Sequence, residues 1–264
     1  MEWNYDPEYR PDNLEDLRDL GYENIIMAPS LACYRLRVLP SRPALMNTEA
    51  HAAAVRSGEA IGLVNTIWLP MRYLQDAMWY GIAYSAHLVD SGEPMDTTAF
   101  HERFTKKVFG RRLTPALNDY LEKWPLLHLH RGFYISLAKG KTDHSDDADA
   151  MRELQEVYKL SKALLENEPD FRPRRNKEIL TSMYLATEVM NVFSEGLLIA
   201  GGDERLQESK KEWREKLGAV IDNVEKEWDR GRFADDPAKH TPKFPNLAHS
   251  HLLIMLKKLD EVIE

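Results

Sequence analysis

Residues 60–73 read AIGLVNTIWLPMRY, and the interpretation of the fold depends on this stretch. Its first part, 61–68, is an almost continuous apolar run, which is typical of a strand buried on both faces of a sheet. The run ends in the indole of Trp68, and the chain breaks two residues later at Pro70. Trp68 is therefore either a packing residue at the end of a strand or part of the mouth of a ligand site.

The order of a strand followed by a helix occurs three times in the first 95 residues. Apolar runs predict strands at 2–5, 22–28 and 61–68, and amphipathic stretches predict helices at 13–20, 48–57 and 76–90. Consecutive units of this kind form parallel sheets with right-handed crossovers. The first region is therefore predicted to be α/β.

Beyond about residue 96 only helical periodicity is present. Apolar residues three and four apart mark one helix face at 179–197, and similar patterns occur at 151–165, 206–228 and 252–262. Short polar connections join these stretches. Four or more such helices predict a helical bundle.

Composition and charge exclude several classes of function. The formal net charge of −8 argues against nucleic-acid binding, which needs a basic surface. The sequence contains no run of about 18 apolar residues and no N-terminal signal peptide, so no membrane association and a cytoplasmic location are expected for the chain as encoded. Cys33 is the single cysteine, so neither an intrachain disulfide nor a cysteine-built zinc site can form.

Two segments resemble metal sites at first sight. His128 and His130 are two residues apart, and on a helix they would point about 200° from each other, so they would not share an ion. The acidic stretch 143–149 lacks the central Gly and distal Glu of a calcium loop, and Ser145 is predicted to cap a helix there. No phosphate-binding loop occurs either. We expect no metal and no cofactor.

Six segments of the first region, taken in order, carry a family resemblance. They are WNY (3–5), NIIMAPS (24–30), MNTEAHAAAVRSG (46–58), GLVNTIW (62–68), DAMWYGIAYSAHLV (76–89) and FHERFTKKVFG (100–110). Their order and spacing resemble the C-terminal part of the catalytic barrel of family 20-like glycoside hydrolases, the β-N-acetylhexosaminidase group. The resemblance implies the last three βα units of an incomplete (β/α)8 TIM-type barrel at 1–110. A helical bundle extension at 111–264 would follow.

The resemblance assigns a sugar-binding role to several aromatic residues. In that family the tryptophan closing the last strand packs against the sugar in the −1 subsite, and by position this residue is Trp68. Trp3 and Tyr5 would line the same pocket, and Tyr73 lies just beyond the last strand. Such barrels collect their active sites at the carboxyl ends of the strands, and an indole can cover the face of a pyranose. The alternative for Trp68 is packing between barrel and bundle.

The acidic residues indicate an incomplete catalytic site. Glycosidases use two carboxylates about 5–10 Å apart, but the second strand ends in residues 27–30, MAPS, without an acid. This agrees with the substrate-assisted class, whose Asp-Glu pair lies on an earlier strand that this chain does not include. The family's last strand also continues to a Glu, whereas here 69–71 reads LPM, which places the N-acetylhexosamine specificity in doubt.

Two acids remain as candidate substrate contacts. Asp6 follows the first strand and Asp76 the last, and both could bind sugar hydroxyls; each could equally be a turn or helix-start residue. We therefore expect no catalytic residue in this chain.

The resemblance and these features predict that the chain is the C-terminal portion of an exo-acting, β-N-acetylhexosaminidase-like glycoside hydrolase. This portion would not be catalytically complete alone. Its expected partners are a glycoside or oligosaccharide and a companion chain, an upstream barrel half or a second copy. One alternative is a noncatalytic helical interaction module with a small α/β cap. Another is an unrelated α/β enzyme with its site near Trp68.

Overall fold

The computed structural model describes residues 1–9, 13–32, 38–68, 74–91, 97–144, 146–231 and 251–263. Over these residues the chain is mostly helical, with a few short strands. The predicted mixture of strands and helices is confirmed at this level. The barrel assignment stays a prediction.

The strands are short and parallel. They are β1 (Ile26–Met27), β2 (Ser30–Ala32), β3 (Gly62–Leu63) and β4 (Thr66–Ile67). β1 pairs with β3 and β2 with β4, and Glu2 forms an isolated parallel bridge to Met27. A central extended segment at 26–32 thus has residue 2 on one side and 62–67 on the other, so the predicted parallel pairing is confirmed.

The strand boundaries differ from the predicted ones. The segment 2–5 contributes only the bridge at Glu2, and the central segment begins at Ile26 and continues beyond Pro29 to Ala32. Pro29 has no N–H to donate to a neighbouring strand, which divides the central segment into β1 and β2. Its carbonyl still accepts the backbone N–H of Thr66 at 2.9 Å, so the pairing resumes immediately.

Three helices accompany the strands. They are α1 (Leu14–Asp19), α2 (Arg42–Arg56) and α3 (Trp79–Ser91), the last preceded by a 3-10 turn at Asp76–Met78. The predicted start of α2 at residue 48 is wrong, because Ser41 occupies the N-cap and Pro43 lies in the first turn. Proline suits the first turn of a helix, where its missing N–H has no partner to lose.

The rest of the described chain is helical. Its elements are α4 (Thr97–Phe104), a π-helical turn (Thr105–Phe109), α5 (Pro115–Lys123), a 3-10 turn (Trp124–Leu126), α6 (Arg131–Ala138), α7 (Ala148–Glu166), α8 (Lys177–Ala200), α9 (Glu204–Gln207), α10 (Lys210–Gly231) and α11 (His251–Val262). The four helical stretches predicted between 151 and 262 are confirmed, with α9 as a separate short helix.

α8 lies at the centre of the core. Eighteen of its residues are buried, and α7, α10 and α11 pack against it. A helix that buries mainly apolar residues around most of its circumference is typical of a core position. The largest core cluster also includes Leu45 and Tyr84 from the first region, so it extends across the predicted boundary at 110. The division into 1–110 and 111–264 stays a prediction.

A glycine on α8 allows close packing of α10. A Cβ at Gly196 would lie only 2.5 Å from the ring of Trp213 on α10, which is fully buried. The indole Nε1 of Trp213 donates to the backbone carbonyl of Val192 at 3.0 Å. The indole therefore packs directly on the α8 backbone.

The sequence predicted that His128 and His130 lie on a helix, but the structure places them outside the helices. Both residues precede α6 in a nonhelical segment. Pro125, which cannot donate a helical N–H, follows the end of α5 and prevents that helix from continuing regularly toward them. His130 caps α6, its Nδ1 accepting the backbone N–H of Gly132 at 3.1 Å. No group of three or more potential metal ligands occurs in the described part of the chain.

The cap of α7 also differs from the prediction. The Asp147 side chain accepts the backbone N–H of Ala150 at 3.0 Å, two residues after the predicted cap Ser145, which lies outside the described residues. Within those residues, no helix has both the length and the hydropathy to cross a membrane.

Candidate functional site

Trp3, Tyr5 and Trp68 meet at the carboxyl ends of the strands, and we call them the aromatic cluster. Trp3 follows the bridge at Glu2, and Trp68 follows β4. Their rings are nearly parallel, with an interplanar angle of 8° and centroids 5.9 Å apart. Trp3 is 54% exposed and Trp68 43% exposed. The structure therefore brings together three of the residues that the sequence predicted to share one pocket.

The Tyr5 hydroxyl joins the two indoles. Its oxygen accepts a hydrogen bond from Nε1 of Trp68 at 2.5 Å and another from Nε1 of Trp3. Both indole N–H groups are therefore satisfied by the protein itself. What the cluster offers to solvent is the apolar face of an indole rather than its N–H edge.

Asn47 holds the segment that carries Trp3 and Tyr5. This α2 side chain is buried, and its Nδ2 donates to the carbonyls of Asn4 at 3.0 Å and Asp6 at 2.8 Å. Its Oδ1 accepts the backbone N–H of Ser30 at 3.1 Å. One amide thus connects a helix, the central strand and the N-terminal segment, and it gives the N–H of the buried Ser30 an acceptor.

His51, one turn further along α2, adds a second contact to the same segment. Its Nε2 lies 2.9 Å from the Asn4 carbonyl, and the Tyr9 ring stacks on the imidazole with centroids 4.7 Å apart. Burial lowers the pKa of His51, which keeps the imidazole neutral at pH 7. Because a carbonyl can only accept, Nε2 carries the proton.

The last strand fixes the position of Trp68. The backbone N–H of Trp68 donates to the Ala32 carbonyl at 3.0 Å. Two residues earlier, both the N–H and the hydroxyl of Thr66 donate to the Pro29 carbonyl, at 2.9 and 2.8 Å. These contacts attach Trp68 directly to the end of the central segment.

The candidate acids have structural partners. Asp6 is exposed, and its Oδ1 accepts the backbone N–H of Glu8 at 2.9 Å within a turn. Asp76 begins the 3-10 turn and forms an ion pair with Arg230 of α10, which also contacts Glu227 at 2.6 Å. Glu227 and Asp76 together raise the pKa of Arg230. The sugar contacts predicted for Asp6 and Asp76 stay predictions, and Tyr73 lies outside the described residues.

Sequence reasoning did not find Asn47 and His51. They are one turn apart on an alanine-rich helix, and both are buried. A polar pair at i and i+4 among small apolar residues is the available signal, because buried polar side chains nearly always have hydrogen-bond partners. Their partner, the 4–6 segment, is more than forty residues away in sequence.

Comparison of the chain with known protein families, curated proteins and solved structures finds no match. The chemistry available at the site is therefore inferred from its geometry. An exposed indole face on a rigid support can stack on a flat apolar surface of a ligand, including one face of a sugar ring. Acid–base work would need carboxylates placed beside that face.

Proposed function

We propose that this chain is carbohydrate-active and that the aromatic cluster forms the sugar-binding side of a glycoside hydrolase active site. The observation that carries the proposal is the stacked pair of half-exposed indoles, Trp3 and Trp68, at the carboxyl ends of parallel strands. Barrel enzymes bind their substrates at that end of the strands. The C–H groups on one face of a pyranose pack well on an indole whose N–H is already bonded elsewhere.

The ring geometry indicates where the sugar lies. A pyranose held between two indoles needs centroids about 7–8 Å apart, twice the usual carbon–carbon contact distance. The centroids of Trp3 and Trp68 are only 5.9 Å apart. The sugar therefore stacks on an outward face of the pair, and one tryptophan supports the other.

The exposure of the strands supports an incomplete barrel. The central segment 25–32 is almost wholly buried, whereas Ile61 is 63% exposed and Val64 45% exposed in the last segment. Among the described residues β3 pairs with β1 and β4 with β2, and an edge strand can offer its free backbone groups to another strand. We therefore propose that further strands pair along 62–67, from a companion chain, an upstream barrel half or a second copy, and that they supply the catalytic acids.

Tryptophan fluorescence and saturation-transfer NMR with N-acetylglucosamine, its β-1,4 dimer and glucose test the sugar site. We expect saturable binding that Trp68→Ala weakens about tenfold, since one lost stacking contact is worth on the order of 1.4 kcal/mol. Tyr5→Phe should weaken binding less, because both indoles lose their shared acceptor while the rings remain.

Trp79→Ala is the matched control, because Trp79 is also about half exposed, at 48%, but lies on α3 outside the cluster. It should leave the affinity unchanged. Equal weakening by Trp79→Ala and Trp68→Ala, or no saturable binding of any of the three sugars, would contradict the proposal. Nitrophenyl glycosides should not be hydrolysed by the chain alone, and robust turnover would show that the acids are present after all.

A further inference from the structure

A groove of about 860 Å³ lies between the end of the π-helical turn and the segment before α8. We call it the basic groove. It is lined by five cationic side chains and one acid, together with two small residues and a ring: Lys106, Arg111, Arg112, Arg172, Arg174, Asp170, Gly110, Thr114 and Phe171. This is a local excess of positive charge on a chain whose net charge is −8.

The two walls of the groove are fixed to each other. Gly110 ends the π-helical turn with a φ of 69°, a conformation that glycine adopts without strain. The backbone N–H of Arg174 donates to the Phe109 carbonyl at 2.9 Å, and the rings of Phe109 and Phe171 pack edge to face with centroids 5.7 Å apart. The groove is therefore preformed.

Some of the cationic side chains in and beside the groove have structural roles. Carbonyls at the end of a helix attract cations and donors, and here Arg175 donates to the Lys107 carbonyl at 2.6 Å while Asn176 donates to the Val108 carbonyl at 2.8 Å. These two contacts provide donors for carbonyls at the end of the turn. Arg111 instead donates to the Arg172 carbonyl in the other wall of the groove, at 2.9 Å.

Three other cationic side chains of the groove make no contact of this kind within the described part of the chain. Lys106, Arg112 and Arg174 are exposed, and none of them forms an ion pair or side-chain hydrogen bond with another described residue. The Arg172 side chain pairs with Asp170 at 3.5 Å, and both of these side chains are almost fully exposed. Positive charges that line one groove repel one another, and an anion bound between them relieves that repulsion.

The N-terminus of α5 opens into the same groove. Thr114 caps this helix by accepting the backbone N–H of Leu117 at 3.2 Å, and the helix dipole adds a partial positive charge there. The guanidinium fork of arginine matches the oxygens of phosphate and sulfate groups. The groove volume is far larger than one such group needs.

We propose that the basic groove binds a small ligand carrying at least two phosphate or sulfate groups. The groove is built from helical elements and includes no residue of the aromatic cluster. This binding activity goes beyond the proposed sugar site, and either can fail without the other.

Isothermal titration calorimetry of the full chain at low ionic strength tests the proposal with two probes, inorganic pyrophosphate and a doubly sulfated disaccharide. We expect saturable binding of at least one probe, weakening as salt is added. The probe that binds more tightly identifies the source of the anion as a phosphate compound or a sulfated saccharide. The unsulfated disaccharide should not bind at the groove.

The variant R112Q/R174Q should weaken binding about tenfold or more, because two charge-assisted contacts are lost. The variant K211Q/K226Q removes the same charge from exposed positions of α10 and should bind as the unaltered chain does. Lys106→Gln, a milder change, should weaken binding a few-fold and serves as the test if the double variant does not fold. The absence of saturable binding, or equal weakening by the groove and control variants, would overturn the proposal.

Discussion

The tryptophans differ between the strand region, taken here as residues 1–91, and the helical remainder. Those in the strand region are each about half exposed: Trp3, Trp68 and Trp79. Those in the remainder are buried: Trp124, Trp213 and Trp228. Trp124 and Trp213 donate their N–H groups to backbone carbonyls of α8, whereas Trp3 and Trp68 donate theirs to a side chain. The same residue type is buried in the core in one region and remains about half exposed in the other.

The two regions are also held together differently. In the strand region, buried polar side chains such as Asn47 connect distant backbone segments. In the bundle, α8 buries mainly apolar side chains, and its buried Asn191 and Ser194 bond to α7 and to α8's own backbone. Nine of the eleven exposed large apolar side chains among the described residues lie before residue 90. The comparison indicates that the bundle has the more apolar core, whereas the strand region leaves more of its large apolar side chains exposed.

The largest expected effect is that of Trp213→Ala. Truncating a fully buried tryptophan leaves a cavity and removes the hydrogen bond from its indole to the Val192 carbonyl, so the free energy of unfolding should fall by about 3–5 kcal/mol. Urea denaturation measures it. Trp79→Ala on the exposed face of α3 is the control, with an expected change within about 0.5 kcal/mol. Comparable losses in the two variants would remove the distinction between the regions.

Asn47→Ala should have the next largest effect. It removes one donor from each of the carbonyls of Asn4 and Asp6, which keep those from His51 and Tyr9, and it removes the acceptor of the Ser30 N–H. The loss should cost about 1–3 kcal/mol of unfolding free energy. Release of the segment should also shift the emission of Trp3, and a fluorescence spectrum measures that shift. Asn223→Ala, at an exposed position of α10, should change neither quantity; an unaltered emission in Asn47→Ala would show that Asn47 does not position the cluster.

A smaller effect concerns the pH dependence of the bundle. Burial raises the pKa of Glu195 above its usual value of about 4.5, although Lys216, 3.8 Å away, opposes the shift. The folded state then binds the proton more tightly than the unfolded state, so Glu195 reduces stability as the pH rises from that usual value through the folded pKa. Glu195→Gln should remove this loss, and its stability relative to the unaltered chain should increase with pH over that window.

Urea titrations at several pH values between 4 and 8 measure the effect. Glu215→Gln, an exposed position on α10, should leave the pH profile unchanged. If Glu195→Gln and the unaltered chain have parallel profiles, the carboxyl group of Glu195 is not perturbed by burial.

The smallest effect on folding should come from the aromatic cluster. Trp68→Ala removes a half-exposed ring and one stacking contact, so the free energy of unfolding should change by less than about 1 kcal/mol. The same variant is expected to weaken sugar binding about tenfold. A destabilisation as large as that of Trp213→Ala would instead identify Trp68 as a packing residue.

Much of the fold was predictable because apolar periodicity reports burial. The three parallel segments and the bundle helices follow from it, and so does the meeting of Trp3, Tyr5 and Trp68, since parallel strands bring their carboxyl ends together. The start of α2 and the nonhelical position of His128 were not predicted, because both depend on a single proline. The roles of Asn47 and of the Tyr5 hydroxyl depend on contacts between residues far apart in sequence, which periodicity does not contain.

The close packing of Trp213 on Gly196 also affects an ion pair further along α10. Because the indole of Trp213 occupies the space where another side chain would stand, α10 is fixed along the length of α8 at one position. Arg230 lies about 25 Å further along α10, at 1.5 Å per residue, where it meets Asp76 just after the last strand. A slip of α10 by one helical turn would carry Arg230 about 5.4 Å away and break that ion pair. A missing side chain in the bundle thus sets the alignment of the junction with the strands.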